Sequence, residues 1–406
     1  LYALLDGGLR NSDWCSFLLP NPKTPSANLI ADRNDEPRRA PLPAAKRVLI
    51  YRLGSLGDTV IALPCLHLVA RAFPDAERSM LTNVPVNATA PAAAAVLGNS
   101  GLVHRYFDYP VYTRNLLLLG RLVLTLRRYK PDVLIYLAAP RGEAALDRDV
   151  RFFRLCGIRS IYGLPTGELA LNLPDAKTGQ AESEAHRLAR TLRPLGDARL
   201  QDQASWDLHL TREELAFGEE TAASFAGNPY IVCAPGCKAQ ANDWEDQNWT
   251  AFLSQLSAKL PNLGLLLTGA ASDFERNAQL AQAWKGRALN LSGTTGPRQA
   301  AAILVHAAMY VGPDSGPMHI AAATGTPCVA IFSARNPAGI WFPNSYQGSP
   351  QHHTLYHRTD CSPCGLVTCT TEKKRCILSI QPTEPLALAL RILEPAFRTQ
   401  SLTQHS

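Results

Sequence analysis

From Lys46 onward, short apolar stretches that read as strands alternate with longer stretches that read as helices. Arg47–Arg52 is the first convincing strand, followed by the loop Gly54–Asp58 and a helix over Thr59–Ala72. Strands over Arg78–Leu81, Val103–Phe107, Val133–Ala138 and Arg159–Tyr162 then alternate with helices over Val86–Leu97, Thr113–Arg128, Asp147–Leu155 and Glu182–Arg193. Such alternation implies a mostly parallel sheet with right-handed crossovers. Gln201–Arg212 reads as a link carrying a short strand at Trp206–Leu210, and Thr211 is placed to cap a helix over Glu213–Phe225. The rhythm then restarts: strand Tyr230–Ala234, helix Gln247–Leu260, strand Leu263–Thr268, helix Asp273–Trp284, strand Arg287–Leu291 and helix Pro297–Ala308. Two doubly wound α/β halves with a cleft between them follow from this pattern, with ligands expected beyond the carboxyl ends of the strands.

The stretch Val311–Phe332, VGPDSGPMHIAAATGTPCVAIF, carries the densest chemistry. It reads as a strand end, a tight Gly-Pro loop, a helix over Met318–Ala323 and a buried strand over Cys328–Phe332. The loop aims unpaired backbone N–H groups and the positive end of a helix dipole at one spot, where Ser315, His319 and Thr326 add polar side chains. That is a cradle for a phosphorylated ligand. The loop after the first strand, Arg52–Asp58, ends in a carboxylate at the mouth of a helix. Asp58 there serves either as a helix cap or as a group able to take a proton from an incoming hydroxyl. The spacing Gly54-x-x-Gly57 lacks the dinucleotide fingerprint, which disfavours a dehydrogenase.

Length and composition agree with this picture. The 406 residues allow about two domains, and 46% apolar with 18% charged residues describe a globular chain. The net charge of +6 comes from scattered Lys and Arg, which suits an anionic ligand or membrane surface better than nucleic acid. The longest apolar run, Leu116–Leu126, is interrupted by Gly120 and Arg121 and falls short of the ~20 residues of a membrane span. Leu1–Pro20 has neither the basic start nor the cleavage site of a signal peptide. Residues 1–45, rich in Pro, Asn, Asp and Arg towards their end, read as a mobile extension.

Ten cysteines, six of them scattered, argue for a reduced cytoplasmic protein. The other four form the series Cys361, Cys364, Cys369 and Cys376. Four thiols at this spacing can close a tetrahedral structural site for zinc or iron; they can also remain reduced or form a local disulfide.

Together, RVLIYRLGSLGDTVIALP near the start and VGPDSGPMHIAAATGTPCVAIF late in the chain resemble the paired signatures of glycosyltransferase family 9, the heptosyltransferase family. Leu289–Ala307, Ala234–Phe252 and the tail Cys361–Cys376 are similar to further family segments, so the resemblance covers Lys46–Pro382. It implies a GT-B fold of two Rossmann-like domains facing a central cleft: residues 46–212 for the acceptor and residues 213–381, with the cysteine cluster, for the nucleotide sugar. A final helix and tail over 382–406 would pack back on the first domain.

The implied reaction is inverting transfer of a heptose, commonly from an ADP-linked donor, to a lipopolysaccharide core or related glycan, with no catalytic metal. By position Asp58 matches the general base, Asp314 a sugar contact, and Ser315, Gly316, Pro317 and His319 the donor-phosphate loop. Gly57 belongs to the first signature. Asn242-Asp243 stand before Trp244 where family members commonly carry a donor-contacting Lys. Lys238 could reach the same phosphate by another route, and Asp273 could hydrogen-bond sugar or ribose. The departure leaves open another nucleotide sugar, or a non-catalytic binding subunit. The expected location is the cytoplasm, with peripheral contact at the inner face of the inner membrane.

Overall fold

Five short parallel strands build the first sheet of the computed structural model. The model describes residues 43–83, 93–110, 113, 115–176 and 178–403, the last nine of these by their helical backbone alone. In chain order the first lobe runs β1 (Arg47–Tyr51), α1 (Leu56–Ile61), α2 (Leu63–Ala72), β2 (Glu77–Asn83), α3 (Ala93–Leu97), β3 (Arg105–Tyr109), α4 (Leu116–Tyr129), β4 (Val133–Tyr136), α5 (Glu143–Leu155), β5 (Ser160–Tyr162) and α6 (Glu184–Thr191). The strand order is β3-β2-β1-β4-β5. Every pairing is parallel, with Leu49 opposite Ser79 on one side and Leu134 on the other.

The second lobe repeats the plan with α7 (Arg212–Ala223), β6 (Tyr230–Cys233), α8 (Asp246–Lys259), β7 (Gly264–Leu267), α9 (Phe274–Ala281), β8 (Ala288–Asn290), α10 (Pro297–Val305), β9 (Met309–Pro313), α11 (Gly316–Ala323), β10 (Cys328–Phe332), β11 (His353–Tyr356), α12 (Arg375–Leu378) and α13 (Thr383–Thr403). Its six strands lie in the order β11-β10-β9-β6-β7-β8. Each sheet has one place where successive crossovers leave in opposite directions: between β1 and β4 in the first, between β6 and β9 in the second. Crevices open at such switch points, so the loops after β1, β6 and β9 are the ones the topology exposes to a ligand.

The alternating strand faces divide the core. Val48, Ile50 and Met80 point to α1 and α2, in a cluster that continues without a break into the second lobe through Ile303, Leu304 and Met318. Leu49, Tyr51 and Leu134 point the other way, to Leu122 and Leu126 of α4 and Phe153 of α5. Leu42–Ser406 forms one unit by its contacts, and Arg298 on α10 ties the lobes together. Its guanidinium donates to the Val96 and Leu97 carbonyls of α3, to Leu208 and His209 of the link, and to both oxygens of Glu214. Glu214 in turn accepts the Thr211 amide in a capping box that starts α7.

Several expectations are revised. The helix expected over Thr59–Ala72 is two helices, α1 and α2, parted at Ala62 just before Pro64. Trp206–Leu210 forms no strand: a 3-10 turn over Gln203–Ser205 ends at Trp206, whose indole N–H donates to the Leu200 carbonyl. The edge strand β11 and the short α12 fall in a region read as loop. The last helix packs on the second lobe, because Leu386, Ala389 and Leu393 join the cluster of Trp244 and Trp249 behind the second sheet. Residues 1–42 and the first part of the helix expected at Val86–Leu97 lie outside the described residues. Among the described residues no helix is long and apolar enough to cross a membrane.

Candidate active site

The loop after β1 brings Asp58 to the cleft. Arg52, fully buried at the end of β1, donates to the Leu137 and Asp58 carbonyls, and its Nη2 lies 3.5 Å from Asp58 Oδ1. Asp58 Oδ2 accepts the Ser55 amide at 2.6 Å and the Ser55 hydroxyl at 2.8 Å. Asn83 clamps the turn from β2 by bonding both Gly54 N and Gly54 O. Asp58 is therefore not the N-cap expected of it: Ser55 holds that position, and Asp58, in the first turn of α1, returns one carboxylate oxygen to the Ser55 amide. The side chain keeps 24% of its exposure, and its charge acts on Lys238, Asp314 and His319 of the second lobe.

The facing wall is the turn from β9 into α11. Ser315 is the N-cap residue with no side-chain cap bond, and Pro317 occupies the first helical turn. The free N–H groups and dipole of α11 therefore open into the cleft. The two lobes meet here at backbone distance. A Cβ on Gly57 would stand 2.7 Å from His319 Cδ2, and one on Gly316 would stand 2.7 Å from Leu56 Cδ2. Only glycine at both positions lets α1 and α11 touch, so these residues hold the helix that bears Asp58 against the amino end of α11.

Burial lowers the imidazole of His319 to about 4 against the opposing pull of Asp58, so the ring is neutral and its Nδ1 has no partner within the protein. The buried Ser315 hydroxyl faces that of Tyr310. Burial pushes the Asp314 carboxyl up to about 6, partly offset by Arg335 and by a hydrogen bond from Asn242. Burial lowers the Lys238 ammonium, while Asp58 pulls it back up. A buried ring nitrogen without a protein partner near the start of α11 is a place suited to a polar ligand.

Asp273 lies between the loops that follow β6 and β7, close to where a Cβ on Gly236 or Gly269 would stand. Its Oδ2 accepts the Ala270 amide at 2.8 Å, so it caps its own turn at the rim. Asn242 Nδ2 donates to the Asp314 backbone and carboxylate, 3.3 Å in each case, and Ser333 bonds Asn242 Oδ1. Asp243 turns away from the cleft to Arg276 and Lys374. Arg52, Asn242 and Ser333 are site residues that sequence reasoning missed. The only trace was Asn242 standing near the position of an expected lysine.

The thiols of Cys361, Cys364, Cys369 and Cys376, for which a zinc or iron site was expected, are half-buried and unbridged. Among the described residues no group of three or more His, Cys, Asp or Glu is placed to hold a metal ion. Cys361 and Cys364 lie within electrostatic reach of Cys376. Cys369, however, is turned to the amides of residues 371, 372 and 374, which outweigh burial and lower its thiol. Residues 361–376 strap the loop after β6. The Ala241 amide bonds the Val367 carbonyl, Gln240 accepts the Cys369 amide, and buried Lys374 holds Glu245 at 2.8 Å and the Asp243 carbonyl at 3.0 Å.

Two parallel α/β sheets that face each other, with their switch-point loops meeting across a cleft, define the GT-B fold of nucleotide-sugar glycosyltransferases. The model of glycosyltransferase family 9 (heptosyltransferase) matches residues 176–374. Lipopolysaccharide heptosyltransferase 1 of Pseudomonas aeruginosa is 26% identical over 360 residues, 84% of this chain and 93% of the relative. The structure of the ADP-heptose lipopolysaccharide heptosyltransferase II of Escherichia coli superposes with a TM-score of 0.61 at 16% identity, covering 86% of this chain and 99% of that one. The E. coli heptosyltransferase WaaC with ADP-2-deoxy-2-fluoro heptose gives 0.51 at 17% identity, covering 86% and 99%. The chain belongs to glycosyltransferase family 9, and it is a glycosyltransferase.

Proposed function

We propose that this enzyme moves a heptose from a nucleotide-diphosphate sugar to a lipopolysaccharide-core or related glycan acceptor, with inversion and with Asp58 as the general base. The observation that carries the reading is the meeting of α1, the helix that bears Asp58, with the amino end of α11 at Gly57–His319 and Leu56–Gly316. Inverting transfer is one in-line displacement. The acceptor oxygen bonds the anomeric carbon as the bond from that carbon to the diphosphate breaks. The diphosphate leaves with the electron pair, and the acceptor proton passes to Asp58, as in inverting glycosidases with a sugar hydroxyl in place of water.

The growing charge on the diphosphate falls on the Ser315–Gly316 amides and the α11 dipole, with Lys238 as the nearby cation. Asp314 would repel a phosphate, so its carboxylate takes sugar hydroxyls, aimed by Asn242. His319, neutral, offers a ring nitrogen to the donor without adding charge. ADP-heptose is the favoured donor, since relatives of this fold bind ADP-linked heptose.

Asp58→Asn keeps an acceptor for Ser55 and removes the base, together with the charge beside Arg52. It is expected to bind donor normally and lose on the order of 10²–10⁴ in the rate of ADP release from ADP-heptose. A variant within a few-fold of the parent rejects Asp58 as base. Donor binding without turnover in the parent would instead mark a binding subunit. Asn242-Asp243, in place of the lysine common in the family, favours a second reading with another nucleotide. Turnover of a UDP- or GDP-sugar but not ADP-heptose would establish it.

A further inference from the structure

Helix α4 buries one face and leaves another apolar face open. Leu122 and Leu126 enter the core beside Phe153. Leu116, Leu117 and Leu124 are 81%, 76% and 53% exposed. Single exposed leucines are ordinary, but Leu116 and Leu117 start the helix together, directly after the Asn115 cap, and Leu124 follows about two turns on. Leu117, Arg121, Leu124 and Arg128 follow one another at four- and three-residue steps and so lie on one stripe. The helix contains no acidic residue.

We propose that this stripe docks the first lobe on an anionic lipid surface. Leucines seat among the acyl chains at the interface, and arginine stems lie along them with the guanidinium groups at the lipid phosphates. The charge selects this occupant over a second copy of the chain. A two-fold pair built on the stripe would set Arg121 and Arg128 against their own like charges. The placement also gives the surface a use. α4 leads from the end of β3 back to the start of β4, so its leucine end lies at the same end of the sheet as Asp58. A lipid-borne acceptor would meet the enzyme on the side where the base waits. The docking itself does not depend on which sugar is moved.

The test is sedimentation of the full chain with vesicles of phosphatidylcholine, with and without about one-third phosphatidylglycerol. The expected result is binding to the anionic vesicles only, weakened by high salt. L117S/L124S should weaken that binding roughly tenfold. R121S/R128S should remove the preference for phosphatidylglycerol. Both variants should keep the parent's melting temperature and its nucleotide-sugar binding, so a failed docking face is told apart from a failed transferase reading. Equal binding to neutral vesicles, no binding at all, or variants that bind like the parent would overturn the proposal. So would a dimer that the same substitutions dissociate, which would assign the stripe to a second copy.

Discussion

Replacing Arg298 by Met should loosen the joint between the lobes more than any exposed substitution. The guanidinium is 8% exposed and donates to Glu214 at 2.6 and 2.8 Å, to His209 O at 2.8 Å, Leu208 O at 2.9 Å, Leu97 O at 3.1 Å and Val96 O at 3.2 Å. Methionine fills much of the volume and removes every donor. Breaking one side of a buried ion pair costs about 3–5 kcal/mol. Glu214 is 22% exposed and keeps the Thr211 amide, which moves its share to the lower end of that range. The carbonyls left unpaired add a further cost of about 1 kcal/mol or more. A loss of about 4 kcal/mol, with an unfolding entropy of about 2.1 cal/mol/K per residue over the whole Leu42–Ser406 unit, lowers the melting temperature by about 5 °C.

Calorimetry at neutral pH measures this shift. Glu214→Gln in the same chain should make the double variant less unstable than the two single costs added, since no unpaired charge remains. The pH dependence has a definite sign. Burial works to raise the Glu214 carboxyl, but the Arg298 hydrogen bond and the Thr211 amide hold it below its ordinary value. Its stabilisation is therefore present above the ordinary carboxylate value and lost as pH falls through the depressed one. The Met variant should lose part of that acid sensitivity. A variant melting within about 1 °C of the parent would refute the assignment of Arg298 as the pin between lobes.

Gly57→Ala places a Cβ 2.7 Å from His319. The lobes must part or the ring must move, so a cost of about 1–3 kcal/mol is expected with a clear loss of turnover; unchanged kinetics would mean the contact is not kept in solution. Asp314, raised to about 6 by burial, contributes stability at acid pH that is lost as pH climbs through 6. Asp314→Asn should therefore flatten the stability profile between about pH 4 and 6, which melting curves across that window would show or deny.

The strands, the doubly wound halves and both cleft loops were legible because glycine-rich turns after apolar runs have few other uses. Asp58 could be read as either cap or base, and the structure gives the N-cap to Ser55, with one Asp58 oxygen accepting the Ser55 amide and hydroxyl. Arg52 was illegible, since a charge at a strand end ordinarily marks where burial stops. Asn242 and Ser333 are 91 positions apart, and Arg298 reaches carbonyls 202 positions away. No local spacing encodes such meetings. β11 reads HTLY, half-buried at a sheet edge, and carries no apolar run to announce it. The cysteine spacing was plain, yet a spacing does not say which way a sulfur turns, and the amides of residues 371–374 decided that for Cys369.

The strap over residues 361–376 makes the shape of the loop after β6 a property of two distant stretches of chain. Lys374 braces Glu245 and Asp243 from outside, and Asn242, next along that loop, steadies Asp314 from within. Slack introduced at the cysteine-rich end is therefore felt at the Asp314 carboxylate, although nothing there touches it. The tail of the enzyme works as a back brace, and its tension belongs to the accuracy of the cleft.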